Sequence, residues 1–397
     1  MKKKNIFCKI IILFVLALVF SCSQDPIFFT ISTEPRPVKP RIPGGPTNMV
    51  VFNGRMYVAS GKLFSYNNGW DDSLQPGDKV IGLASTGSHL YALCLTGSGV
   101  KTVLRRKEPT GGWADIGSAE SKYTLIQSIY ADNGELFAGA MNDKGSDYGI
   151  LYLDGGTLRL IAGDTEMLSG AASRTELSET VYFLSTKGRG VYTIIDEGSG
   201  LANKTATHLG GSESKLLMGM VKLKDDSTPS KEAIIVIERD GGTFYEVRKD
   251  GFRTLKYTGG APVTSAIGKF ATGALAEWVN VENESQKMLI AGIQGGLFST
   301  STTSSYSHGY VEIELDSPFN IVDGWLVLIN NRSTNPDITV GGNTDRYTAT
   351  IGKHPVNHFF QTPVEIDPNR IFFASTQTAG LWSYRYRDGG WQWNAEN

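Results

Sequence analysis

The chain has 397 residues, 40% of them apolar and 20% charged, so it can bury a sizeable core and is not disordered by composition. A formal charge of −2 excludes the basic footprint of a nucleic-acid binder. The three cysteines, Cys8, Cys22 and Cys94, exclude a disulfide framework and a four-cysteine zinc site. Glycine, at 46 residues, makes up about 12% of the chain against a usual ~7%, as a turn-rich body requires.

Lys2, Lys3, Lys4 and Lys9 precede an uninterrupted apolar run over residues 10–20. As a helix that run is about 16 Å long, well short of a ~30 Å hydrocarbon core. A positive start, a short apolar stretch and a small residue read as a secretory signal over residues 1–21. The run ends Leu18-Val19-Phe20-Ser21-Cys22, which resembles the lipobox of a bacterial lipoprotein, although Phe20 is bulkier than the residue usual there. The resemblance implies that Cys22 is acylated and becomes the new N-terminus, which places the protein in the cell envelope with membrane lipid as a partner. An ordinary signal cleaved nearby, or an uncleaved anchor, is the alternative. Loss of residues 1–21 removes four lysines and no acid, leaving 34 basic against 40 acidic residues, a charge of −6. Residues 22–47 then form a spacer with prolines at 35, 37, 40, 43 and 46, stiff and extended at up to about 3.1 Å per residue. With Cys22 carrying lipid, Cys94 has no partner in the chain and reads as a small buried apolar side chain.

From residue 48 to 397, short β-branched and aromatic runs alternate with Gly, Asn and Asp turns, and no long 3.6-residue period appears. That predicts an all-β domain of many short strands. Four columns recur. The first is a hairpin, as in Val51-Phe52-Asn53-Gly54-Arg55-Met56-Tyr57 and Tyr130-Ala131-Asp132-Asn133-Gly134-Glu135-Leu136-Phe137, with later copies at Val181-Tyr182 and Ile371-Phe372. The second is an apolar–aromatic strand, as in Leu63-Phe64-Ser65-Tyr66, Gly296-Leu297-Phe298 and Leu381-Trp382-Ser383-Tyr384. The third is a glycine turn leading to an aromatic: Asn68-Gly69-Trp70, Gly111-Gly112-Trp113, Asp250-Gly251-Phe252 and Gly389-Gly390-Trp391. The fourth precedes the hairpin and carries a small residue: Gly82, Ser128, Gly170, Gly219 and Gly273.

Four strands per unit, with a small residue on the first, fit a β-propeller, whose inner strands converge on a crowded axis. The units begin near 50, 82, 128, 170, 219, 273, 321 and 362, and their spacing is close to the roughly 40–50 residues of a blade. The body resembles the broad β-propeller superfamily, eight-bladed by count and seven-bladed if the segment near 321 is an insertion. A β-sandwich or β-solenoid is the competing architecture. The Gly-His and Trp-Asp signature of WD40 repeats is absent. Asp388-Gly389-Gly390-Trp391 and Asn67-Asn68-Gly69-Trp70 resemble the Asp-box turns of sialidase-like propellers without the full box, so no sialidase activity is implied.

No linear motif carries chemistry, and the expected catalytic, cofactor and metal sets are all empty. His354 and His358 have the spacing of two ligands on a helix face, but Pro355 opposes a helix and a zincin glutamate is missing, so a loop at a blade edge is expected. The segment 142–147 has the composition of a calcium loop without its order. Asp71-Asp72 and Asp225-Asp226 read as exposed turn charges. Ser212-Glu213-Ser214-Lys215 has Ser-x-x-Lys spacing without its helix or companion motifs. Gly97-Ser98-Gly99 and Gly188-Arg189-Gly190 lack the third glycine of a dinucleotide site and read as turns. Trp70, Trp113 and Trp391 suit stacking on sugars, but their repeat positions favour packing between blades.

Two functional readings follow. The first is a membrane-tethered, non-enzymatic binding or scaffold module for a protein or glycan ligand, with no nucleic-acid partner and no cofactor. It would use the loops ringing the axis, the longest of which are expected at 224–231, 281–287, 300–308 and 330–345. The alternative is a glycan- or peptide-acting hydrolase or lyase with its site at the axis, where acids from several blades can meet without any linear motif.

Overall fold

The computed structural model describes residues 42–97, 101–118, 122–176, 178–225, 231–240, 242–256, 270–280, 287–300, 303–315, 320–322, 325–327, 354–387 and 390–396. The signal segment, Cys22 and the prolines up to 40 lie outside the described residues, as do the loops at 226–230, 281–286 and 330–345.

The described chain is all β. Blade 1 comprises β1 (Met49–Phe52), β2 (Arg55–Ser60), β3 (Lys62–Tyr66) and β4 (Trp70–Asp72). Blade 2 comprises β5 (Lys79–Ser85), β6 (Leu90–Thr96), β7 (Lys101–Lys107) and β8 (Trp113–Ser118). Blade 3 comprises β9 (Leu125–Asp132), β10 (Glu135–Met141), β11 (Tyr148–Asp154) and β12 (Thr157–Thr165). Blade 4 comprises β13 (Leu168–Glu176), β14 (Glu179–Thr186), β15 (Val191–Asp196) and β16 (Thr207–His208). Blade 5 comprises β17 (Leu217–Lys224), β18 (Glu232–Glu238), β19 (Phe244–Arg248) and β20 (Gly251–Thr254). Blade 6 comprises β21 (Phe270–Val279), β22 (Lys287–Thr300) and β23 (Thr303–Leu315). A two-stranded sheet follows, β24 (Asn320–Val322) with β25 (Trp325–Val327). Blade 7 comprises β26 (Val356–Gln361), β27 (Phe372–Thr376), β28 (Leu381–Arg387) and β29 (Gly390–Ala395).

Each blade is an antiparallel meander in sequence order, with blades 2 and 3 also joined at their outer edges by a short parallel pairing of β8 with β12. The hairpin column supplies tight turns: Asn53 and Gly54 have φ of 49° and 70°, and Asn133 and Gly134 have 48° and 84°. Two successive positive φ values are the type I′ geometry whose twist matches the flanking strands.

The middle strands lose the period-2 alternation of a half-buried strand because a blade packs on both faces. In β18, Ala233, Ile234, Ile235, Val236 and Ile237 are all fully buried. Ile234 and Val236 enter the core shared with blade 4, whereas Ala233, Ile235 and Ile237 enter the core shared with blade 6. Each of the Ile and Val side chains contributes roughly 1.5–3 kcal/mol by burial.

These shared cores fix the blade number. Seven apolar clusters among the described residues each join two consecutive blades, and the last joins blade 7 to blade 1. The first strands touch in the order β1, β5, β9, β13, β17, β21, β26 and back to β1. The ring therefore closes at seven blades rather than the eight favoured by count. The segment near 321 imitates the hairpin column, but β21 lies directly against β26, and Trp278 and Tyr310 share a core with Phe372 and Trp393. Two further expectations are corrected. Blade 7 begins at Val356, before the predicted 362, and 300–308 is not an irregular loop, because β22 and β23 pair up to Thr300–Thr303.

Candidate axial binding site

Each first strand lies at one end of its blade and touches the first strands of both neighbouring blades, so the first strands line the axis. Six of the seven carry a pairing irregularity at a corresponding place: Val80/Gly82 in β5, Ile126/Ser128 in β9, Leu168/Gly170 in β13, Met218/Val221 in β17, Ala271/Leu275 in β21 and Val356/His358 in β26. A bulge bends the strand and re-aims a side chain. The small column of the sequence falls at or inside these bulges, where neighbouring strands crowd together. A Cβ on Gly170 would lie 2.9 Å from the Met220 amide nitrogen, and one on Gly219 would sit on the Gly273 carbonyl. Polar side chains tie the same region together: Ser128 Oγ donates to Leu168 O at 2.8 Å, and the Leu83 amide donates to Asn48 Oδ1 at 2.8 Å.

Blade 7 departs from this pattern. Its first paired residue after the bulge, the position of Gly82, Ser128 and Gly170, is His358. The residue is half-buried, and Nδ1 accepts a long hydrogen bond, 3.4 Å, from the Met49 amide of β1. That bond leaves the proton of the neutral ring on Nε2. Burial alone lowers the His358 pKa from 6.5 to about 4, so the imidazole is neutral at physiological pH. Tyr130 on β9, across the ring, is also partly exposed, with its ring against the core of blades 3 and 4. Burial alone pushes its phenol up to about 12. Phe360, two residues beyond His358 as Tyr130 is two beyond Ser128, is partly exposed on β26.

Two carboxylates on the inner strands are paired. Asp132 Oδ2, at the end of β9, accepts from the Ser173 amide at 2.6 Å, from Ser173 Oγ at 2.5 Å and from Lys222 Nζ at 2.9 Å. One carboxylate thus spans the first strands of blades 3, 4 and 5. Glu176, at the end of β13, lies 3.3 Å from Arg174 Nε and accepts from the Lys249 amide. At the other end of the strands Lys187 follows β14 in an exposed turn.

The motifs singled out in the sequence are dispersed. His354 Nδ1 is hydrogen-bonded to Thr378 Oγ1 at 3.1 Å, whereas His358 turns to Met49, so the two do not converge on one ion. His358 lies on a first strand and not in a blade-edge loop, because Val356 and Phe359 are buried and anchor the segment as β26. Ser212 Oγ is buried and donates to Leu209 O, and Lys215 Nζ reaches Tyr245 Oη and Glu238, which separates that pair. Asn142 and Asp147 close a turn through backbone bonds, and Asp147 pairs with Lys122 at 2.5 Å. Asp71 and Asp72 are exposed at the end of β4, whereas Asp225 is buried and accepts from the Lys231 amide. Trp70 is buried, and the Trp113 indole donates to Leu74 O, as packing roles require. The Trp391 side chain and residues 98–100 lie outside the described residues. Among the described residues no helix is long and apolar enough to cross a membrane.

The fold and axis define a β-propeller protein. No protein-family profile and no curated protein matches the sequence. Among solved structures the chain is similar to YCF48 from Cyanidioschyzon merolae, at 11% identity and a TM-score of 0.47, over 87% of this chain and 97% of that one. It is similar to YCF48 bound to a D1 peptide, at 11% and 0.46, over 88% and 94%. It is also similar to the BP39L lectin from Burkholderia pseudomallei, at 12% and 0.48, over 90% and 99%. At these scores the blade count rests on this chain's own cores and strand order.

Proposed function

We propose that the protein is a bacterial lipoprotein, held in the cell envelope by acylated Cys22, whose propeller is a non-enzymatic binding module. One observation supports binding over hydrolysis: Asp132 and Glu176 on the inner strands are each held in an ion pair, and the bulge column is otherwise small or neutral. A glycosidase of the common kind needs two carboxyl groups flanking one bond. The tether reading rests on Cys22 directly after the apolar run. The propeller holds the chain from Ile42, whose carbonyl accepts from the Leu381 amide. The residues between, 23–41, span up to about 60 Å if extended.

The test uses the full chain in a bacterial host. Incorporation of a clickable palmitate and partition into a detergent phase are both expected for the wild type and both lost in Cys22→Ser. Equal labelling of Cys22→Ser overturns the tether. For the module, affinity capture from solubilised envelopes is expected to retain a protein or glycan, while hydrolysis of chromogenic glycosides and peptides stays at the uncatalysed rate. Turnover that tracks the purified protein and is abolished by Asp132→Asn overturns the binding reading.

A further inference from the structure

We propose that the corner of the propeller where the N-terminal segment joins it docks on anionic lipid headgroups, with Lys62, Lys79 and Lys101 as the contacting charges. The inference rests on the lipoprotein reading and goes beyond it by fixing which end of the body meets the membrane.

The segment that leads back to Cys22 enters at the end of the propeller where the first and third strands of each blade begin. There the Leu381 and Gly380 amides, at the start of β28, donate to Ile42 O and Gly44 O, and Ser60, at the end of β2, donates to Pro43 O. The next residue, Gly61, exchanges two backbone hydrogen bonds with Val80 of blade 2, each at 3.0 Å. Lys62 and Lys79 flank that contact, and the Lys79 stem lies over Gly61, its Cε 3.8 Å from where a Cβ would stand. Lys79 is opposite Leu95 and Lys101 is opposite Thr96, so Lys101 stands across β6 from Lys79 at the same end of blade 2. The three lysines are the first residues of β3, β5 and β7, which all start at the end where the tether arrives.

All three are exposed, and none is ion-paired among the described residues. The adjacent acid, Asp78, is held by Arg105 at 2.8 Å, and the exposed Asp71 and Asp72 lie out on β4, at the rim. The rest of the charge supplies an orientation. The mature chain has 34 basic against 40 acidic residues, so an anionic surface repels the body as a whole and attracts this corner. The spacer adds to the attraction, since Arg36, Lys39 and Arg41 follow Glu34 with no further acid before Ile42. Leu74, 58% exposed, stands in the link between β4 and β5, and its neighbours Ser73 and Gln75 both bond to Leu63, the residue after Lys62. An apolar side chain among cations suits the headgroup layer. Docked in this way, the Asn53-Gly54 and Asn133-Gly134 turns, at the opposite end of the blades, face away from the membrane.

The experiment is co-sedimentation of the mature chain carrying Cys22→Ser, which has no acyl chain, with vesicles of phosphatidylcholine alone or of an equal mixture with phosphatidylglycerol. Binding is expected to the mixed vesicles, to be absent from phosphatidylcholine, and to fall as salt is added. Lys62→Ala with Lys79→Ala is expected to weaken it about fivefold for each lysine removed. Arg55→Ala, an exposed cation at the opposite end of blade 1, is expected to bind as the parent does. Should the double variant fold poorly, Lys62→Arg with Lys79→Arg keeps the charge and is expected to restore binding. Equal sedimentation with both vesicles, or equal losses in the Arg55 and lysine variants, overturns the docking corner. Release by inorganic phosphate at constant ionic strength overturns the membrane surface as its occupant and leaves a free-anion site. Failure of palmitate labelling at Cys22 removes the anchor alone, because the protein in this assay carries none.

Discussion

The indole Nε1–H of Trp70 in blade 1 donates to a buried carboxylate oxygen of Glu396 after the last strand of blade 7, at 2.5 Å. No strand crosses this junction, since blade 1 is built wholly from β1–β4 and blade 7 wholly from β26–β29. The ring is closed by side chains, together with backbone bonds from the Leu381 and Gly380 amides to Ile42 O and Gly44 O. Glu396 also accepts from Ser383 Oγ and from Arg385 Nη2 at 2.6 Å. Tyr66 donates to the buried Asp367 at 2.7 Å, and burial followed by that bond pushes its phenol well above the usual range. Phe373 packs edge-on against both Tyr66 and Trp70, with centroids 5.6 and 5.7 Å away.

Removing the indole donor leaves a buried carboxylate short of a partner, which costs about 1–3 kcal/mol. Trp70→Phe is expected to lower stability by that amount, read as a lower urea midpoint at an unchanged denaturant slope. Glu396→Gln is expected to cost at least as much, because Arg385 then faces a neutral group. Stability within 0.5 kcal/mol of wild type for both would mean that the apolar seam alone closes the ring.

Gly219 and Gly54 make a paired test of axial crowding. Both have positive φ, 64° and 70°, but a Cβ on Gly54 meets nothing within 4 Å, whereas one on Gly219 falls on the Gly273 carbonyl. Gly54→Ala is expected to cost about 1 kcal/mol, the conformational term alone. Gly219→Ala is expected to cost more than about 3 kcal/mol and to move the chain to the insoluble fraction, because two backbones must separate. Similar melting temperatures for the two variants would show that the inner strands are not in close approach.

Much of this was legible before any coordinates. The Asn53-Gly54 and Asn133-Gly134 turns, the small residues at 82, 128, 170, 219 and 273, and the aromatics Trp70 and Trp113 on outermost strands all sit where the recurring columns place them. Local turn chemistry and local crowding leave marks on adjacent residues. The blade count was not legible because it is a long-range property: Ile321-Val322 pairs with Trp325-Leu326 as any hairpin would, and only the packing of β21 on β26 denies it a blade. His358 was misread because its spacing from His354 drew attention to metal motifs. The signal that finds it is alignment of the bulges, which needs the strand register. The Glu396 partner Trp70, more than 300 residues away, leaves no local trace.

Cys94 is fully buried on β6, and burial first of all pushes its thiol up to about 11. Thiolate is the reactive form, so both access and ionisation protect it. If Cys22 carries lipid as proposed, the native protein is expected to show no reaction with Ellman's reagent over an hour and one thiol per chain in guanidinium. A rapidly reacting native thiol would place Cys94 at an opening of the blade 1–blade 2 core, where Leu63, Val80 and Leu90 enclose it.

His358 also links stability to pH. Its folded pKa, about 4, lies below the 6.5 of the unfolded chain, so between those values the unfolded state binds more protons. Stability contributed by the neutral ring is therefore complete above pH 6.5, falls as pH drops towards 4, and falls no further below it. Urea midpoints taken across this window are expected to decline for wild type and to decline less steeply for His358→Ser, with the two curves running parallel above pH 7. Identical slopes for the two proteins between pH 6.5 and 4 would show that the imidazole is hydrated in the folded state.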